Sequence, residues 1–248
     1  YFLNYALSQK CDKVATGHYA KIKFNKDLYS LNIPKDETKD QTYFLYMLNQ
    51  SIIKNLIFPL EDIQKEDVKN IVKRFDISIY EKKESMGICF IGKKNFSNFI
   101  KKYINNNPGD ICDENGLLLG KHNGLFNYTI GQRKGIKIGG HKDYDEKPWF
   151  VIRKDNLKNI LVVSQNEEKL LSSRLINLRN TTWVKEKPKE NVQYKARFRH
   201  RGKFIPVKIS SKNNEYTLNM IELERAVTPG QSAVLYKDNE CIGGGIIS

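Results

Sequence analysis

The stretch Gln193-Tyr194-Lys195-Ala196-Arg197-Phe198-Arg199 decides how the last third of the chain is read. Tyr194, Ala196 and Phe198 alternate with Lys195, Arg197 and Arg199, and Arg201 continues the same period of two. Such alternation predicts a strand with one apolar and one polar face, because successive side chains of extended backbone point to opposite sides. Outward from this stretch no helical period survives beyond about Leu175. Short apolar runs recur at 206–210, 216–220, 232–236 and 241–247. Five or so strands at this spacing predict a small β-barrel. Four cations on one strand face read either as an ordinary solvated face or as a surface that tracks phosphates.

The charge balance is consistent with both. Lys and Arg number 42 against 28 Asp and Glu, for a net charge of +14 over 248 residues. Of the basic residues 33 are Lys and only 9 Arg, a bias that an A/T-rich coding sequence produces without selection for binding, so part of the excess is plain solubility. Residues 175–248 nevertheless hold 13 basic and 7 acidic side chains, so the basic strand belongs to a generally basic module. With 40% apolar and 11% aromatic residues the chain carries enough to bury cores, which excludes a disordered polyelectrolyte.

No run reaches the roughly 18 to 20 apolar residues that a membrane-spanning helix needs, and Tyr1-Phe2-Leu3-Asn4 lacks the blocks of a signal peptide. A cytoplasmic protein with no membrane partner is expected. Residue 1 is Tyr and falls inside an amphipathic pattern, which suggests that the natural start lies upstream. Cys11, Cys89, Cys112 and Cys241 are far apart, with no Cys-x-x-Cys pair and no histidines at zinc spacing, so no structural metal is expected. An important cysteine in a reduced compartment is a reactive thiol.

The first third reads as α/β. Phe2, Leu3, Ala6 and Leu7 have helical spacing, and Val14-Ala15-Thr16 forms a short apolar segment broken by Gly17-His18. Ile22 and Phe24, then Tyr29, Leu31 and Ile33, predict a hairpin about Asn25-Lys26-Asp27. Thr38 and Gln41 form a capping-box signature, with Phe44, Met47, Leu48, Ser51 and Ile52 predicting one helix of about four turns. After Pro59 a second helix places Val68, Ile71, Val72 and Phe75 on one face. In the middle third, Phe96, Phe99, Ile100, Tyr103 and Ile104 predict a helix that Pro108-Gly109 ends. A glycine-punctuated stretch from Gly116 to Gly140 reads as short strands and loops, and then comes a hairpin from 149–152 and 160–163.

Two features are able to carry chemistry. Cys89 lies between Gly87 and Gly92 in a short apolar segment, and reads either as a small buried hydrophobe or as an approachable thiol. Gly17-His18 ends a short strand, and in open α/β sheets nucleotides bind at strand ends.

Whole segments, in order, resemble the tRNA-specific 2-thiouridylase family, which puts sulfur on the wobble uridine of certain tRNAs. These are Ala15-Thr16-Gly17-His18-Tyr19, Lys39-Asp40-Gln41-Thr42-Tyr43-Phe44-Leu45, Gly87-Ile88-Cys89-Phe90-Ile91-Gly92, Gly131-Gln132-Arg133-Lys134-Gly135, Lys154-Asp155, Thr228-Pro229-Gly230-Gln231-Ser232-Ala233 and Gly243-Gly244-Gly245-Ile246-Ile247. The resemblance implies an α/β plus β fold. Residues 1–94 would be the C-terminal part of a Rossmann-like PP-loop nucleotide-binding domain, 95–174 a small mixed α+β central domain, and 175–248 a tRNA-binding β-barrel. The family's ATP loop and its nucleophilic cysteine would lie upstream of Tyr1, so the chain is expected to be a fragment, inactive alone.

Residue by residue, Cys89 resembles the family's persulfide-bearing cysteine and Gly17 its adenine-nucleotide contact. His18, Lys39, Asp40, Gln41, Arg197, Phe198 and Gln231 resemble its tRNA contacts. The resemblance further implies Mg-ATP, tRNA, a sulfur-relay donor protein, and a disulfide left on Cys89 after transfer. A stand-alone RNA-binding module and a thiol redox or scaffolding protein are the alternative classes.

Overall fold

Residues 1–77, 99, 102–104, 107–139, 144–166, 168, 174–225 and 227–248 are described by the computed structural model. Two units partition the chain. One is drawn from Tyr1–Lys82, Ser173–Leu223 and Thr228–Ser248, the other from Lys83–Ser172 and Glu224–Val227.

In the first unit, helix α1 (Phe2–Ser8) leads to strand β1 (Val14–Ala15), and the hairpin β2 (Lys21–Asn25) and β3 (Leu28–Asn32) turns through Lys26 and Asp27, both at positive φ. A 3-10 turn (Glu37–Lys39) and two four-residue helices, α2 (Thr42–Leu45) and α3 (Gln50–Ile53), follow. Then come β4 (Leu56–Ile57), parallel to β1, and α4 (Lys65–Arg74). The single four-turn helix expected after Thr38 is thus two short helices. The cap signals explain the break. Asp36, not Thr38, closes the first turn by accepting from the Thr38 N–H, and the Asn49 side chain starts α3 by accepting from the Ile52 N–H. Helix α4 carries Glu66 and Asp67 in its first turn and Lys73 and Arg74 in its last, matching the helix dipole. Its expected apolar face is not a core face among the described residues, for Ile71 and Phe75 are exposed.

The second unit holds β5 (Gly109–Cys112), β6 (Leu118–His122), β7 (Phe150–Asp155) and β8 (Ile160–Ser164) in the order β6-β5-β8-β7. The expected hairpin is β7–β8, and β5 and β8 run parallel. Ile111, Tyr128, Ile136, Val151, Leu161 and Val163 form its core. The turn at Gly131-Gln132 is tied to Val151 by two backbone hydrogen bonds.

Back in the first unit, β9 (Leu175–Trp183), β10 (Gln193–Arg197), β11 (Ile205–Lys212), β12 (Glu215–Met220), β13 (Ser232–Lys237) and β14 (Glu240–Ile247) close into a six-stranded antiparallel barrel, β13–β14 completing the ring. Strand β9 was not among the runs read from the sequence, although Ile176 and Leu178 are buried and alternate with exposed Leu175, Asn177 and Arg179. Strand β10 ends at Arg197. Only Lys195 and Arg197 of the four expected cations therefore share its face, while Arg199 and Arg201 lie in the turn that follows.

Two features of the barrel were hidden in the sequence. Strand β14 runs between β13 and β9 through Gly243-Gly244-Gly245. A Cβ on Gly244 would lie 2.2 Å from the Ala233 carbonyl oxygen, and one on Gly243, at φ +135°, would lie 2.2 Å from that of Thr182. Only glycine allows this approach. The hairpin also extends the barrel sheet, β3 pairing with β14 through Asn32–Glu240 and Leu31–Cys241. Ala20, Leu31, Ile33, Tyr43, Tyr46, Ile53 and Phe58 from the first segment share one core with Val184, Val234, Tyr236 and Cys241. Strand β13 is therefore buried on both faces, which is why 233–236 reads as an unbroken apolar run.

Candidate functional site

Gly17 follows β1 at its carboxyl end, exposed, with no atom within 4 Å of where a Cβ would stand. His18 is held beside it by a 2.9 Å hydrogen bond between Nδ1 and Thr16 Oγ1, with its ring edge-on to Phe58. The next residue, Tyr19, is clasped twice by Gln41. Its N–H donates to Gln41 Oε1 at 2.8 Å, and its carbonyl accepts from the Gln41 N–H at 3.0 Å. Gln41 thus does not reach back to Thr38. The capping-box residue instead joins the Gly17–Tyr19 segment to the Lys39–Gln41 segment.

Asp40 is the hub of the second segment. Its carboxylate accepts from the Thr42 N–H at 3.0 Å and the Thr42 hydroxyl at 2.7 Å, and pairs with Arg197 Nη1 at 2.5 Å. The side chains of Asp40 and Arg197 are 2% and 15% exposed, so this pair lies almost out of water. The guanidinium also sits 3.9 Å from the Phe204 ring centroid and 5.6 Å from that of Tyr236, whose hydroxyl meets Thr42 Oγ1 at 3.1 Å. Arg197 is therefore neither a solvated cation nor part of a free strand face: the first segment covers it and supplies its counter-charge. Burial raises the Tyr236 hydroxyl pKa well above the usual range, keeping it a neutral hydrogen-bonding group.

Gln231 reaches the same neighbourhood by another route. It is half-buried, follows Gly230 at φ +85°, and accepts from the Ile247 N–H. The Tyr43 hydroxyl donates to the carbonyl of the adjacent Ser232 at 2.9 Å, and the Ser232 hydroxyl donates to Tyr46 Oη at 3.1 Å. Helix α2 is thereby pinned between the start of β13 and the end of β10. Phe198, just past that end, is buried, and Lys39 is half-buried beside Asp36. Asp40, Gln41 and Arg197 are thus bonded together at the start of one short helix, with the Gly17–Tyr19 segment tied in through Tyr19 and Gln231 adjoining the Ser232 that Tyr43 holds.

The sequence reading missed two parts of this junction. The tyrosine hydroxyls of 43, 46 and 236 left no pattern beyond apolar spacing. Phe44, placed in the apolar stripe of a helix, is 59% exposed and packs against His200 with ring centroids 4.5 Å apart and planes tilted by 40°. Burial lowers the His200 pKa, and Arg201 and Arg197 push it the same way against Asp40, so the ring is neutral at pH 7.

Among the described cysteines, Cys112 and Cys241 are buried and burial raises both thiol pKa values, whereas Cys11 is exposed. Cys89, Gly87, Gly92 and most of the helix expected at 96–104 lie outside the described residues. Among the described residues no group of three His, Cys, Asp or Glu side chains is placed to hold a metal, and no helix is long and apolar enough to cross a membrane.

Comparison with known proteins covers the chain in three consecutive pieces. Residues 1–93 match the family described as tRNA methyl transferase HUP domain, 97–165 the tRNA methyl transferase PRC-barrel domain, and 173–247 the aminomethyltransferase beta-barrel domain. With the closed barrel, these make the fold mixed α/β plus β. The chain is 43% identical over 255 residues to tRNA-specific 2-thiouridylase MnmA 2 of Aliarcobacter butzleri, covering 100% of this chain and 70% of that protein. It is 42% identical over 247 residues to tRNA-specific 2-thiouridylase MnmA of Ruthia magnifica, covering 99% and 68%. To the protein of that name from Buchnera aphidicola it is 44% identical over 251 residues, again covering 99% and 68%.

Proposed function

The chain belongs to the tRNA-specific 2-thiouridylase MnmA family, and we propose that it serves to replace the C2 oxygen of the wobble uridine of tRNA with sulfur. The observation that carries this reading is the junction around Asp40: Gln41 clasps Tyr19, Asp40 pairs with Arg197 of the barrel, Tyr43 bonds to Ser232 beside Gln231, and Gly17 and His18 follow the carboxyl end of β1. In an open α/β arrangement that end is where a nucleotide sits. Gly17 is exposed with open space where a Cβ would stand, which supports its reading as the adenine-nucleotide contact.

ATP, when bound, supplies the adenylyl group that turns the poorly leaving C2 oxygen into part of AMP. The chain's own residues supply the tRNA-facing junction and the sulfur carrier. His18, Lys39, Asp40 and Gln41 from one side, and Arg197, Phe198 and Gln231 from the barrel, form the tRNA-facing junction, either by direct contact or by holding the elements that make it. Cys89 carries the transferred sulfur as a persulfide, which ionises more readily than a thiol and so needs no strong base beside it. Its terminal sulfur bonds to C2 as the C2–O bond breaks. A second thiol then attacks the Cys89 sulfur, the S–S electron pair leaves with the thiolated base, and a disulfide remains. A persulfide donor protein recharges Cys89 once that disulfide is reduced. The wobble base lies in a single-stranded loop, where extrusion costs less than from a duplex.

Nucleoside mass spectrometry tests the reading. tRNA from cells with the gene disrupted should lack wobble 2-thiouridine, restoration of the gene should return it, and a Cys89→Ser copy should not. Unchanged 2-thiouridine in the disrupted strain would overturn the assignment and, if the chain still binds tRNA, leave an RNA-binding module.

A further inference from the structure

We propose that the adjoining, tilted rings of Phe44 and His200 form a platform for one unpaired RNA base, with the Arg199–Gly202 turn carrying the adjoining phosphate. This rests on the reading of the chain as a tRNA-binding protein and adds a contact that the family resemblance did not supply.

Phe44 is a large apolar side chain left 59% exposed, although its neighbours Thr42, Tyr43 and Tyr46 are all buried. Its ring lies 4.5 Å from His200 at 40°, and Tyr43 stands edge-on behind it at 5.5 Å and 85°. Tyr43 is itself fixed through its hydroxyl to the Ser232 carbonyl. The rings thus form a supported surface.

The surroundings select the occupant. After β10 the chain turns through Arg199-His200-Arg201-Gly202-Lys203, closed by the Gly202 N–H donating to the Arg199 carbonyl at 3.0 Å, with Arg201 at φ +59° and exposed. An apolar ring pair rimmed by cations suits a molecule with flat aromatic faces and a polyanionic backbone, which is single-stranded RNA. Arg197 Nε and His200 Nδ1 are both shielded and have no hydrogen-bond partner among the described residues, so the spot keeps polar capacity beside its rings. A neutral His200 presents a π-face and not a charge.

The test uses the full chain and an unmodified, fluorescently labelled tRNA transcript with uridine at the wobble position. Stacking contributes about 1–3 kcal/mol per base, so Phe44→Ala should weaken binding roughly 5- to 150-fold. The slope of log K against log salt should stay unchanged, because a ring releases no counterions. Phe44→Trp should retain wild-type affinity, and His200→Asn should weaken binding without shifting the melting temperature. Wild-type affinity in Phe44→Ala, or a loss that Phe44→Trp also shows, overturns the platform. Sedimentation in which Phe44→Ala alone turns a dimer into a monomer overturns it too, making the patch a contact between copies. If the wild-type chain binds the transcript no better than a random polyanion, the tRNA reading itself fails first.

Discussion

At Gly17 the chain itself makes no demand for glycine, since φ is not positive and no atom crowds the missing Cβ. Gly17→Ala should therefore leave the melting temperature level or slightly higher, by reducing unfolded-state freedom. If an adenine nucleotide packs there, the added methyl should lower ATP affinity by about 1–3 kcal/mol, read by equilibrium binding on a protein that carries the family's ATP loop, as in other overpacked sites. Unchanged affinity would remove Gly17 from the site. Asp40 is constrained in the opposite way, because its carboxylate holds Thr42 and neutralises Arg197 where little water reaches. Asp40→Ala leaves a buried cation uncompensated and should cost about 3–5 kcal/mol in denaturant unfolding. Adding Arg197→Met should recover much of that loss, and full additivity of the two would show that the pair is not coupled. One consequence concerns any binding assay on Arg197: weakened tRNA binding by an Arg197 variant reports folding of the junction as well as contact.

The elements around the site are held by their ends. Asp36 joins the 3-10 turn to α4, accepting from the Thr38 hydroxyl at 2.6 Å, the Lys65 N–H at 2.9 Å and the Thr38 N–H at 3.2 Å. The bonds from the Thr38 hydroxyl and the Lys65 amide outweigh desolvation and, with the Lys39 charge, lower its pKa below the usual carboxylate range. The unfolded chain therefore takes up this proton first as acid is added. The stability Asp36 contributes is complete above its unfolded pKa of about 3.9, and is lost as pH falls through the lower folded value. Urea midpoints of Asp36→Asn between pH 5 and 2 should vary less with pH than those of the wild type, and parallel curves would refute this. At the barrel seam, Gly244→Ala drives a methyl against the Ala233 carbonyl, a backbone atom with no rotamer to yield. It should cost about 1–3 kcal/mol, where Gly17→Ala costs none. Equal melting temperatures for the two variants would mean that the seam is looser than its spacing requires.

For the whole molecule, the net charge of +14 makes tRNA binding salt-dependent in any reading, and only the slope carries information. Arg201→Glu, exposed and beyond the end of β10, should lower the salt slope by about one phosphate contact, and an unaltered slope would place that turn outside the RNA footprint. Much of this architecture was legible from residues near in sequence. Alternation at 193–198 and in the later runs announced strands, Lys26-Asp27 a tight hairpin turn, and Gly17 a strand end, because periodicity and turn chemistry are local properties of the backbone. The helix after Thr38 was read too long, because apolar spacing does not reveal that Asp36 and Asn49 cap separate pieces. The partnership of Asp40 with Arg197, 157 positions apart, left no trace in the local pattern. Nor did the hairpin joining the barrel sheet, or the exposure of Phe44 against His200. By itself the sequence determined most of the strands, the family and the basic character of the C-terminal strands. Only the tertiary structure decided which charges are buried, which aromatic ring is left in water and which segments meet, because burial and pairing depend on long-range packing that no window of sequence contains.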